Sequence, residues 1–165
     1  MTLSNIWVFA QGAPSTSGGV APTSTTLELL TKARSLGGGV RVTAFVPGDA
    51  SDIAAALGEY GATKVYATGD LHGALPGSAV ASAMKAVIDG GDSPDLILFP
   101  QDYVGRDVVS RLSVKLDSTV LTNNTDVTVD GDTVTATTPV FGGTKMVTKP
   151  WVAPSATARS RWPRS

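Results

Sequence analysis

Apolar residues along this chain come in short unbroken runs separated by longer amphipathic stretches, and that rhythm predicts the architecture. Ile6-Trp7-Val8-Phe9, Val40 to Val46, Lys64-Val65-Tyr66-Ala67 and Leu96-Ile97-Leu98-Phe99 are too short for helices and read as strands, the last one buried on both faces. Helical spacing fills the gaps. Leu27, Leu30 and Ala33 follow Thr25 and Glu28, which read as a capping box, and run up to the glycines Gly37, Gly38 and Gly39. A short helix through Ile53 and Leu57 stops at Gly61. Pro76 opens a third helix, with Val80, Met84, Val87 and Ile88 on one face and Gly90-Gly91 closing it. Val108, Leu112 and Leu116 stripe a fourth, with Asp107 in its first turn, four residues from Arg111.

The stretch from Pro94 to Leu116 organises the rest, because a strand-turn-helix unit cannot bury its apolar faces alone. Strands separated by helical patterns supply parallel neighbours, so the expected fold class is α/β. It has three α/β/α layers, a mainly parallel sheet and right-handed crossovers. After Leu116 the period changes to two. Thr125 to Val129 and Thr133 to Thr138 alternate around Asp130-Gly131, which predicts an antiparallel hairpin near 125–138. That turn pairs Val127 with Val134, and the ribbon is expected to extend or edge the parallel sheet. Pro139 to Gly143 turns away from it, and Gln11 to Thr23, rich in Gly, Pro, Ser and Thr, reads as a mobile loop.

Composition narrows the class. A chain of 165 residues with 42% hydrophobic and 16% charged residues is globular and fits one domain. The absence of cysteine excludes disulfides and thiolate chemistry. No apolar run approaches the ~18 residues of a membrane span, and the N-terminus lacks the basic start of a signal peptide. A cytoplasmic location is therefore expected. A net charge of −1 makes no electrostatic case for nucleic acid. The average conceals a break, however. Residues 1–144 hold 8 Lys and Arg against 14 Asp and Glu, whereas residues 145–165 hold five cations and no acid. The expected organisation is a domain over residues 1–148 and a basic tail over 149–165. The tail reads either as disordered or as the product of a shifted reading frame, and an authentic basic tail for an anionic partner is the alternative.

Candidate chemistry is sparse. His72, the one histidine, lies in the loop GDLHGALPG with no nucleophile-elbow motif, so a solvated loop residue competes with a hydrolytic role. Carboxylates alone would have to complete a zinc site there, so no metal is expected. Ser17-Gly18-Gly19 resembles the start of a pyrophosphate loop but continues into Ala21 and Pro22, and it reads as a flexible loop. Gly105-Arg106-Asp107 stands at a helix start after a central strand, where open α/β sheets bind ligands. Its structural reading has Asp107 capping the helix and Arg106 paired with a neighbouring carboxylate.

Several stretches together resemble the alpha subunit of electron transfer flavoprotein. They are IWVFAQG, TLELLTKARSLGGGVRV, GEYGATKVYATGD, PDLILFPQDYVGRDVVSRLSVKLD and VDGDTVTATTPVFGG, in family order over roughly residues 5 to 148. The resemblance implies the N-terminal domain, whose fold is of the adenine-nucleotide-hydrolase-like type. It further implies a heterodimer with a beta subunit that accepts electrons from flavin dehydrogenases, an electron carrier rather than an enzyme. FAD in that heterodimer is held mostly by a C-terminal domain that this sequence does not match. The chain alone is then expected to be a truncated, assembly-only domain that does not bind FAD by itself. A rival reading is a stand-alone adenine-nucleotide module of the universal-stress-protein kind, using Gln11, Asp102 and Arg106 as cofactor-binding residues. No catalytic residue is assigned.

Overall fold

The computed structural model describes residues 3–16, 18–131 and 133–152, the last two without their side chains. These residues form two compact units that meet in sequence at Val120 and Leu121. The first contains β1 (Asn5–Phe9), β2 (Gly12–Pro14), β3 (Val20–Pro22), α1 (Ser24–Ser35), β4 (Arg41–Val46), α2 (Ala54–Glu59), β5 (Lys64–Ala67), α3 (Pro76–Asp89), β6 (Leu96–Leu98) and α4 (Tyr103–Leu116). The second contains β7 (Asp126–Asp130), β8 (Thr133–Val140), a 3-10 turn over Phe141–Gly143 and β9 (Lys145–Val152).

In the first unit β1, β4, β5 and β6 form a parallel sheet in the order β5-β4-β1-β6. Successive side chains on a strand point to opposite faces, and here both faces are apolar. Trp7, Phe9 and Phe45 pack with Val80, Ala81 and Met84 of α3 and with Val108 and Leu112 of α4. Ile6, Val8, Val42, Ala44 and Val46 face the other way, the side on which α1 buries Leu30 and Ala33. The α/β class and its three layers are as the alternating runs predict.

Several local expectations differ. The first helix is capped by Thr23, whose side chain accepts from the Thr26 amide at 3.2 Å, and not by Thr25. The Gln11 to Thr23 stretch is a short hairpin of β2 and β3 rather than an open loop. It is closed by hydrogen bonds from Thr23 N to Gln11 O and from Ser15 N to Gly19 O. In the second unit Asp130 pairs with Thr133, so Val129 faces Val134 and Val127 faces Ala136. The turn is centred one residue later than predicted because Gly131, at φ +57°, takes its first inner position. The ribbon also does not join the parallel sheet. With β9 it makes a separate antiparallel sheet, β7-β8-β9, burying Val134, Ala136 and Thr138 on one face. Pro139 lies within β8, opposite Met146 of β9.

The amino ends of the strands are tied by one carboxylate. Asp92, in the turn between α3 and β6, accepts from Arg41 Nη2 at 2.9 Å, Lys64 Nζ at 2.8 Å, Tyr66 Oη at 2.7 Å and Asn5 Nδ2 at 3.1 Å. Those donors come from β4, β5 and β1. Beside it, Asp95 Oδ2 accepts from Ser4 N at 2.8 Å and Asn5 N at 3.0 Å.

Candidate functional site

The chain lays β4 and β5 on one side of β1 and then crosses to place β6 on the other. The winding therefore reverses between β1 and β6, and the crevice beyond the carboxyl ends of these two strands is the general ligand position of such sheets. Gln11 leaves β1, while Asp102 and Arg106 follow β6. The three residues singled out from sequence thus belong to neighbouring strand ends.

Each is held by a local device. Gln11 is half-buried, and its backbone is gripped by Thr26, whose Oγ1 accepts from Gln11 N at 2.8 Å and donates to Gln11 O at 3.1 Å. Asp102 has extended backbone and caps α4, its Oδ1 accepting from the Gly105 amide at 2.7 Å. Gly105 lets the helix start against the end of β6, since a Cβ there would lie 2.4 Å from the Pro100 carbonyl oxygen. Arg106 is exposed and makes no ion pair among the described residues. Both halves of the structural reading of Gly105-Arg106-Asp107 are corrected: Arg106 has no carboxylate partner among the described residues, and Asp107 is not the cap. Because α4 begins at Tyr103, Asp107 sits in its second turn. There its Oδ1 accepts from Arg111 Nε at 2.8 Å and its Oδ2 lies against Gly77 of α3.

The electrostatics of this edge are anionic. Asp49, after β4, binds Ser51 through Oγ at 2.7 Å and N at 3.0 Å, and those bonds hold its carboxyl below the usual range. Asp70, after β5, accepts from His72 N at 2.8 Å. With Asp102, carboxylates follow three of the four strands, and the guanidinium of Arg106 follows β6. His72 itself is 87% exposed, and its side-chain ion-pair partner among the described residues is Asp70, with Nδ1 3.3 Å from Oδ2. Gly18 and Gly19 sit at the hairpin tip with open space where a Cβ would be, so they form no packed phosphate cradle. Among the described residues no group of three His, Asp or Glu side chains could hold a metal, and no helix is long and apolar enough to cross a membrane.

The fold defines a doubly wound parallel α/β domain followed by a small antiparallel sheet. Comparison with known proteins names its family. The family model for the electron transfer flavoprotein domain matches residues 16–161. The electron transfer flavoprotein subunit alpha of Bacillus subtilis (strain 168) is 28% identical over 120 residues, covering 72% of this chain and 37% of that protein. The chain belongs to the electron transfer flavoprotein domain family. It spans a little over a third of the length of this curated relative.

A flavin adenine dinucleotide carries two phosphates, and the described edge is poorly suited to them. Among the described residues it offers the guanidinium of Arg106, carboxylates that include Asp49, Asp70 and Asp102, and a helix start where Asp102 holds the Gly105 amide.

Proposed function

We propose that this chain is the N-terminal assembly domain of an electron transfer flavoprotein alpha subunit. It would form one part of a heterodimeric, FAD-containing carrier that accepts electrons from flavin dehydrogenases. The observation that carries this reading is the family match over residues 16–161. The anionic carboxyl edge supports the assembly role, because such an edge is better suited to shaping a shared cleft than to holding phosphates alone. In this reading the chain supplies protein surface and positioning, and the bound flavin of the heterodimer supplies the redox chemistry.

The test is to mix the purified chain with its cognate electron transfer flavoprotein beta subunit and follow the pair by size-exclusion chromatography and flavin absorbance. Co-elution is expected, with little flavin absorbance on the chain alone. Separate elution at tens of micromolar, above the Kd range of a specific interface, would refute the reading. One observation favours the nucleotide-module alternative. Arg106, free and exposed at the switch point, is the kind of group that meets a phosphate.

A further inference from the structure

We propose that the face of the parallel sheet covered by α3 and α4 holds an internal water molecule, which bridges Trp7 Nε1 and Thr43 Oγ1. Both side chains are fully buried, and neither of these polar atoms has a hydrogen-bond partner among the described residues. They are also neighbours. Trp7 of β1 stands opposite Thr43 of β4 in the parallel register, so the two side chains rise from the same face of adjacent strands. The Trp7 ring leans across β4, its centroid 5.6 Å from that of Phe45 on β4 and 5.9 Å from that of Tyr66 on β5. Phe45 lies two residues from Thr43 on that same face. The indole and the threonine hydroxyl therefore share one region of the core.

The chemistry of the pair defines the ligand. An indole N–H only donates, whereas a hydroxyl both donates and accepts, so the bridging group has to accept from Trp7. Leaving both groups unpaired would incur the desolvation penalty of each, and ordered water is how native cores relieve it. Adjacent strands lie about 4.8 Å apart and each hydrogen bond spans about 2.9 Å, so a single oxygen can serve both atoms. An anion would be buried there without a free cation. The nearest ammonium, that of Lys64 opposite Thr43, is already held by Asp92 and Tyr66. Water is neutral and both accepts and donates, and it fits the pair. Lys64, Thr43 and Trp7 stand in one row across β5, β4 and β1. The bridge thus extends into the core the polar tie that Asp92 makes at the strand ends.

Because both residues are buried, such a water exchanges only when the core opens locally, and its contact with the indole proton is readable by NMR. The Trp7 signal is the indole resonance that persists in both Trp151→Phe and Trp162→Phe. A cross-peak between that proton and water is expected in the wild-type chain and should persist in Thr43→Ser, which keeps the hydroxyl. Thr43→Val, close in shape but without the hydroxyl, should lose the cross-peak. Its thermal midpoint should fall by a few degrees, because the indole is left alone. A wild-type indole with no cross-peak to water would overturn the proposal. So would a midpoint that rises in Thr43→Val, since the hydroxyl would then have been unpaired. A cross-peak that survives Thr43→Val would show a water held by Trp7 alone and refute the bridge.

Discussion

Two buried glycines show how the same substitution can carry different costs. A Cβ on Gly105 would lie 2.4 Å from a backbone oxygen, that of Pro100, at the junction of β6 and α4. Backbone cannot step aside there without moving the strand or the helix. A Cβ on Gly77 would meet the Asp107 carboxylate at 1.7 Å, a closer clash but with the end of a side chain that is 43% exposed and able to rotate. Gly105→Ala is therefore expected to lower stability by about 1–3 kcal/mol, the usual range for overpacking. Gly77→Ala should lose the Asp107–Arg111 pair, worth about 0.5 kcal/mol, and recover a comparable amount because alanine favours the helix. Denaturant midpoints of the two variants check this, and equal midpoints would contradict it. The Asp107–Arg111 pair was readable from a spacing of four. The approach of α3 was not, because spacing along one helix says nothing about its neighbour.

Helix starts were the least legible elements, for a definable reason. Around the first helix the sequence offers Thr23, Ser24, Thr25 and Thr26 in succession, and each could cap. The choice falls to Thr23 because Thr26 is drawn into the clasp on Gln11, a contact across fifteen residues. At α4 the sequence pointed to Asp107, but the close fit of Gly105 against Pro100 places the start at Asp102, five residues earlier. Asp102→Ala should then cost about 1 kcal/mol in unfolding free energy, with Asp102→Ser or Asp102→Asn largely sparing it. If Asp102→Ala unfolds at the wild-type urea concentration, the cap contributes nothing. Asp107→Ala is expected to do less, since it leaves the cap in place.

Across the whole molecule, the parallel sheet was legible because strands buried on both faces leave runs such as Ile6 to Phe9 with no polar interruption. The separate antiparallel sheet was not, since alternation shows that a ribbon has one covered face but not what lies beside it. The clasp on Asp92 was equally hidden, its donors being scattered over three strands. Hydrogen bonds from Lys64 and then Tyr66, with the charge of Arg41 behind them, hold Asp92 below the ordinary carboxylate value. Its contribution to stability is present above about pH 4, the unfolded carboxylate range, and is lost as pH falls through the lower folded value. The same bond to Asp92 raises Lys64, whose contribution is present below its ordinary value and is lost as pH rises beyond it. Asp92→Asn should therefore flatten both the acid and the alkaline limb of the stability profile. A variant profile parallel to the wild type at both ends would show that the clasp is not ionic. At the opposite end of the sheet, charge weighs against the nucleotide-module reading. Carboxylates after three of the four strands oppose a triphosphate, and Arg106 alone does not reverse that sign. Calorimetry with ATP and with AMP is expected to give no saturating heat. Saturation at one site per chain, lost in Arg106→Ala, would instead make the carboxyl edge a nucleotide site and displace the assembly role.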